Sequence, residues 1–271
     1  MNLYVHTGTF KTANGISGTA NDAEILRCLE AVSRELDDYC NRHFYTETAT
    51  RYFDATTSEK ANIDDVLSVT SLYLDVNDDE TWTEQWIEGT DFTLQPLGGY
   101  PYTRIHKKRG GSKSFYVYPN ALKVTGIFGY GDGSANPWKS AGITATVAST
   151  SGTTLNLSHE NTIYAGQTIK LGTEQLYVTA HSGNSATVIR AVNGTTAATH
   201  SSATVYVAQY PKQLEDAVLY LASGAFNLRQ KRGLKDIMIG EYRETLVWDD
   251  RSRDAIPAMV GRLARPTYCD A

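Results

Sequence analysis

The chain has 271 residues, 41% of them apolar, 20% charged and 10% aromatic. That size and composition suit one large or two modest folded domains, and exclude a disordered chain, a collagen-like fibre and a disulfide-scaffolded miniprotein. With 25 basic and 30 acidic residues the formal charge is −5, so the chain as a whole has no electrostatic reason to wrap nucleic acid. The segment from Met1 to Gly18 lacks the basic and apolar regions of a signal peptide, and nowhere do 18 apolar residues run together. Neither secretion nor a membrane span is therefore expected. Cys28 and Cys40 fall on one expected helix, roughly 18 Å apart at the helical rise, which predicts reduced thiols in a cytosolic setting. The 17 tyrosines against 7 phenylalanines fit an extensive half-wet contact surface.

In chain order, the first strong signal is a helix. Asn21 is placed to cap it, with Glu24 three residues on, and Ile25, Leu29, Val32, Leu36, Tyr39 and Cys40 form one apolar stripe. Glu24, Arg27, Glu30, Arg34, Asp37 and Asp38 read as the solvated face. From Arg51 to Val124 the text becomes strand-like, with RYFDA, DVLSVTSLYLDV, WIEGTDFTLQP, SFYVYP and LKVTGIFGYG as successive runs.

A composition shift follows. Ile143–Val207 holds 14 threonines and four charges (Glu160, Lys170, Glu174 and Arg190), while the other 206 residues carry 51. Short alternating runs begin at Ile143, Thr154, Gln167, Glu174, Ala186 and Ala203, separated by turn residues such as Asn193-Gly194, which predicts six short strands in a small β-sandwich or barrel. After it, Pro211 suits the first turn of a helix striped by Leu214, Val218, Leu221, Ala225 and Leu228, with Arg229, Lys231 and Arg232 before Gly233 at its end. A last short helix is expected from Asp254, with Pro257 in its first turn, stopping before Pro266. The chain then divides into a discontinuous host, 1–142 and 208–271, and an insertion, 143–207. The fold class expected is α+β: a helical connector domain with extended β-hairpins, plus an inserted all-β sandwich or barrel-like domain.

Sites of chemistry are scarce. The six histidines show no metal-ligand spacing among themselves or with cysteine. Asp75-x-Asn77-x-Asp79 opens like a calcium loop, but Glu80 and Trp86 stand where glycine and a bidentate acid are needed. Gly129-Tyr130-Gly131 lacks the following helix that a dinucleotide site requires, and Gly110-Gly111-Ser112-Lys113-Ser114 only echoes a phosphate loop. No enzyme, metal or cofactor is implied. The one basic cluster is Arg104, Lys107, Lys108, Arg109 and Lys113, with His106 among them. A hairpin tip is its natural place, and many copies around a ring can touch DNA phosphates or an acidic neighbouring subunit.

Several segments, in their order, resemble the head–tail connector (adaptor, or head-completion) proteins of tailed bacteriophages. They are the amphipathic N-terminal helix, Arg51-Tyr52-Phe53-Asp54, Val66–Leu72, the run Trp86-Ile87-Glu88-Gly89-Thr90-Asp91-Phe92-Thr93-Leu94-Gln95-Pro96, the strand Val124–Gly131, the proline-initiated helix and the closing Arg265-Pro266. The departure is the 65-residue insertion between the Val124 strand and that helix.

The resemblance implies a structural virion protein at the head–tail junction: a ring, commonly of twelve subunits, that caps the portal after DNA packaging, extends the DNA channel and carries the tail. Its implied partners are further copies of itself, the portal protein, a tail or next neck protein, and double-stranded DNA passing through without sequence-specific contact. Within that reading Arg262, Leu263, Arg265 and Tyr268 are expected to dock the portal, because terminal segments can order on a partner that supplies buried area. The competing reading is a surface- or carbohydrate-binding accessory protein acting through the threonine-rich module.

Overall fold

A computed structural model describes residues 1–160, 162–228, 236–239, 242–245 and 256–265. Three hydrophobic cores organise it. The first is helical. Helix α1 (Thr7–Asn14) and the longer α2 (Asp22–Cys40) come before the sheet. Helices α3 (Lys212–Leu228) and α4 (Ile256–Val260) follow the barrel, and a 3-10 turn, Gly261–Leu263, closes the described chain. Ile25, Leu29, Val32 and Leu36 of α2 meet Leu214, Val218 and Leu221 of α3, joined by Leu3, Tyr4 and Val5 from the N-terminal segment. Asn21 sits at the N-cap without a side-chain capping bond, and Asn41 ends α2 in the left-handed conformation. Two residues depart from the expected faces: Tyr39 is exposed and Asp37 is buried.

The second core belongs to an open antiparallel sheet built from β1 (Glu47–Phe53), β2 (Lys60–Asp75), β3 (Trp82–Trp86), β4 (Phe92–Gln95), β5 (Tyr102–Lys107) and β6 (Leu122–Phe128). The order is β1-β6-β2-β5-β4, with β3 also on β2. Strand β2 is the spine. It pairs with β6 along Val66–Leu74 and, on its other side, with β5 near Lys60 and β3 near Asp75. Register shifts between Val66 and Ser68 and between Val69 and Ser71 add the local bend that bulges impose on a long strand. The expected strand at Ser114–Pro119 is instead irregular chain. Phe115 is buried there, stacks on Trp86 at 4.4 Å and donates its N–H to Ser58 rather than to a ladder.

The third core fills a closed barrel made of β7 (Trp138–Val147), β8 (Thr154–Leu157), β9 (Thr168–Leu171), β10 (Glu174–Ser182), β11 (Ser185–Ile189) and β12 (His200–Ala208). Its circular order is β10-β11-β8-β7-β12-β9. Ile143, Leu155, Ile169, Leu176, Val188 and Val205 point inward on alternate positions, the period-two pattern of a small barrel. The barrel is joined to the rest rather than hung from it. Thr48 of β1 donates to the Asn193 carbonyl at 2.9 Å, and a Cβ on Gly194 would lie 2.0 Å from the Thr48 carbonyl oxygen, so only glycine fits that contact. Two further strands, β13 (Asp236–Ile239) and β14 (Tyr242–Thr245), pair with each other and with no other strand among the described residues.

The expectation of an α+β helical connector domain is therefore corrected. Among the described residues fourteen strands outweigh four helices, and the molecule is mostly β, with a closed six-stranded barrel and a second sheet. The physical reason lies in β2, whose sixteen residues recruit β6 on one side and β5 and β3 on the other. The host is thus centred on a sheet rather than on its helices. No helix among the described residues is long and apolar enough to cross a membrane.

Candidate functional site

Arg51 and Arg265, far apart in sequence, meet at one carboxylate, that of Asp64. Arg51 on β1 reaches across to Asp64 on β2 at 2.5 Å and to Glu47 on its own strand at 2.5 Å. From the other end of the chain Arg265 donates to Asp64 at 3.0 Å and to the Ile63 carbonyl at 2.5 Å. Its backbone N–H donates to the Cys40 carbonyl at 2.8 Å. One arginine fork thus ties the end of the described chain to β2, while the same residue's backbone ties it to the C-terminus of α2. Beside this node Arg42 pairs with the buried Asp65 at 3.3 Å. Burial pushes the Asp65 carboxyl up, opposed by the charges of Arg42 and Arg265.

These groups line a crevice of about 300 Å³ between the end of α2, β1, β2 and Arg265. Its floor explains Gly129: at φ 123° that residue brings the chain so close to β1 that a Cβ would lie 2.0 Å from the Tyr45 carbonyl oxygen. The glycines at 129 and 131 therefore serve close packing and a turn. Among the described residues no three His, Cys, Asp or Glu side chains are placed to hold a metal ion. Arg51, Asp64, Glu47 and Arg265 are bonded to one another, whereas both Asp65 carboxylate oxygens and the Arg42 Nε are buried with an ion pair but no hydrogen bond.

The Trp86–Pro96 run is the end of β3, a turn and the whole of β4. Trp86, Phe92 and Leu94 are buried, Gly89 takes φ 80°, and the Asp91 carboxylate accepts the Ile87 N–H at 2.9 Å. Lys113 closes the same turn, donating to Asp91 at 2.9 Å and to the Gln85 carbonyl at 2.7 Å. The Lys113 bond first and the Ile87 N–H second hold the Asp91 carboxyl below its ordinary value. At the acidic loop, burial works to raise the Asp75 carboxyl, but N–H groups including those of Asn77 and Glu80 outweigh it and bring it down. Asp75 is occupied in shaping that loop.

The basic cluster separates into two parts. Arg104 lies on β5 and bonds Asn62 at 3.2 Å, and Lys113 is committed to Asp91. Lys107, Lys108 and Arg109 stand at the end of β5 around an open hollow that also includes Glu59 and His106. Lys107 bonds Ser114 at 3.1 Å, Lys108 donates to the Gly89 carbonyl, and Arg109 is exposed. Of the residues expected to dock a portal, Arg262 is exposed and Leu263 is buried at 8% in the helical core. Arg265 turns inward to Asp64, and Tyr268 lies outside the described residues.

Sequence reasoning missed two constellations. Asp37, assigned to the solvated face of α2, is buried under Tyr4, whose hydroxyl donates to it, and pairs with Arg34 at 3.1 Å. In the barrel, Glu174 is fully buried. It accepts a two-pronged Arg190 fork at 2.6 and 2.7 Å, the N–H groups of Ala191 and Ala198, and faces His200 at 2.8 Å. Two of the four charges of a charge-poor block fall in this network, and that scarcity was the available signal. In comparisons with known proteins, no family model and no curated protein matches the chain.

Proposed function

We propose that the chain is a structural protein of a tailed-phage particle, a head–tail connector that acts in multiple copies as a ring between portal and tail. The observation that carries this reading is the convergence on Asp64. Three segments of the resemblance, the Arg51 strand, the Val66–Leu72 strand and the Val124–Gly131 strand, lie side by side as β1, β2 and β6. Arg265, of a fourth segment, bonds to Asp64 on β2. Segments some 200 positions apart share one carboxylate, which supports their being parts of one device.

In this reading the anchor fixes Arg265, and with it the short helix and 3-10 turn before it, against β2 and the end of α2. Arg262 is the exposed residue beside it, and together with Tyr268 it is assigned to portal docking. The trio Lys107, Lys108 and Arg109 offers cations at the end of the sheet, where repetition around a ring makes a weak phosphate contact useful without gripping DNA. The virion neck is the corresponding location. The barrel, wired to β1 through Asn193 and Gly194, travels with the ring as part of each subunit.

Electron microscopy of the purified chain with its portal is the test. A ring seated on the portal is the expected result; a monomer that ignores the portal, or particles lacking the chain, overturns the reading. Replacing Lys107, Lys108 and Arg109 together by alanine is expected to abolish low-salt DNA retention by the ring and leave its assembly intact. Retention unchanged by the triple substitution removes DNA contact from the role of that tip.

A further inference from the structure

We propose that the β13–β14 hairpin of one copy adds as extra strands to the free edge of β1 in a second copy. The inference deepens the multi-copy reading above, and rests on it, by naming the surface through which neighbouring subunits join.

Strand β1 ends the sheet, with β6 on its inner side. In an antiparallel ladder, outward and inward backbone groups alternate along each strand. Thr48 donates outward, to Asn193, so Thr50 and Tyr52 also direct their N–H and C=O groups away from β6. Among the described residues nothing pairs with those four groups. Exposed edges are normally blunted by proline, lysine or a bulge. Strand β1 has none of these: its sequence is Glu-Thr-Ala-Thr-Arg-Tyr-Phe, and its register with β6 is unbroken from Glu47 to Phe53.

The hairpin has the complementary need. Its strands β13 and β14 hold four residues each and pair with each other and with no third strand among the described residues. A lone two-stranded hairpin is marginal in water and gains stability from a third strand. Four residues supply two that face a new neighbour, matching the two free positions of β1. The barrel turn at Asn193-Gly194 blocks the edge at Thr48, which stops an incoming strand in one register. Among the described residues the hairpin and that edge do not pair within one chain, and the occupant proposed is the hairpin of a second copy. The contact joins two different surfaces, the heterologous geometry that closes rings.

Two variants and a cross-link test this. Thr50→Pro with Tyr52→Pro removes both outward N–H groups, a substitution edge strands accept. The expected result is loss of the oligomer in sedimentation with an unchanged circular dichroism spectrum. Independently of folding in that variant, a Thr50→Cys chain is mixed with a Met238→Cys or an Arg243→Cys chain, with Cys269→Ser throughout. A disulfide-linked pair of different chains is expected on mild oxidation. Rings that survive both prolines, or cysteines that link only within one chain carrying both, overturn the edge assignment and leave the ring reading standing. A wild-type chain that stays monomeric, alone and with the portal, overturns both.

Discussion

In the barrel every strand from Trp138 to Ala208 has a neighbour on each side, whereas the sheet that starts at Glu47 stops at β1 with backbone groups facing outward. The barrel closes on itself and keeps its most strongly bonded charge, Glu174, inside. The sheet places its charges at its margins, in the Asp64 node, the acidic loop and the Lys107–Arg109 tip. A closed barrel offers a partner only side chains; an open sheet offers backbone as well. Among the described residues the inserted module leaves no strand edge open, while the host sheet keeps one at β1.

The sharpest way to break that contrast is at Glu174. Glu174→Gln leaves the buried Arg190 fork without a counter-charge, and removing one partner of a buried pair costs about 3–5 kcal/mol. The barrel is expected to melt first, giving two transitions in calorimetry where the parent shows a later loss of the barrel. The pH profile has a definite sign. Burial works to raise the Glu174 carboxyl, but Arg190, Ala198, His200 and Ala191 outweigh it and bring it to about 2. The unfolded chain takes up the proton near the ordinary glutamate range, so this stabilisation is complete above that range and is lost as pH falls toward 2. A parent and a variant with the same acid-unfolding curve would refute the role given to the network.

How legible these features were depends on how local their cause is. The six barrel strands lie at or beside the six alternating runs because period-two patterning is written residue by residue. Meeting Glu174 with Arg190 and His200 is a property of closure, which no window of sequence contains. Asp37 shows the same limit. The helical stripe placed it outward, and it is buried because Tyr4, 33 positions earlier, covers it. Leu263, expected to dock a portal, is buried in the helical core. The helical connector domain is what the resemblance implies, whereas the strand-like text from Arg51 to Val124 is a local pattern. That text prevailed, since a sixteen-residue strand recruits partners on both sides.

A smaller effect separates the host's anchor from the barrel's network. Arg265→Ala removes the bonds to Asp64 and Ile63, each a hydrogen bond from a charged donor, and such bonds contribute about 1.5–3 kcal/mol. The loss stays below that at Glu174 because the Asp64 side chain is 43% exposed and keeps Arg51. Hydrogen exchange is expected to quicken in Ile256–Arg265 and to remain unchanged in the barrel. Equal quickening in both regions would show that the anchor supports the whole body rather than that segment.

The smallest predicted effect lies where the two regions touch. His6 caps α1 by accepting the Thr9 N–H at 3.3 Å, and its ring stacks on Tyr164 of the barrel at 4.8 Å. Tyr164 in turn meets His181 edge-on at 5.3 Å, and Lys212 and Glu215 of α3 share the hollow beside His6. Burial first, and the charge of His181 second, push the His6 imidazole down to about 4. A group lowered on folding stabilises the native state above its unfolded value, and that contribution is lost as pH falls from about 6.5 toward 4. By pH 5 the loss reaches up to about 2 kcal/mol. His6→Asn keeps a capping acceptor and cannot take the proton, so the variant's stability is expected to change less between pH 7 and pH 5 in urea titrations. An identical slope in parent and variant would place the acid sensitivity of the junction elsewhere than at His6.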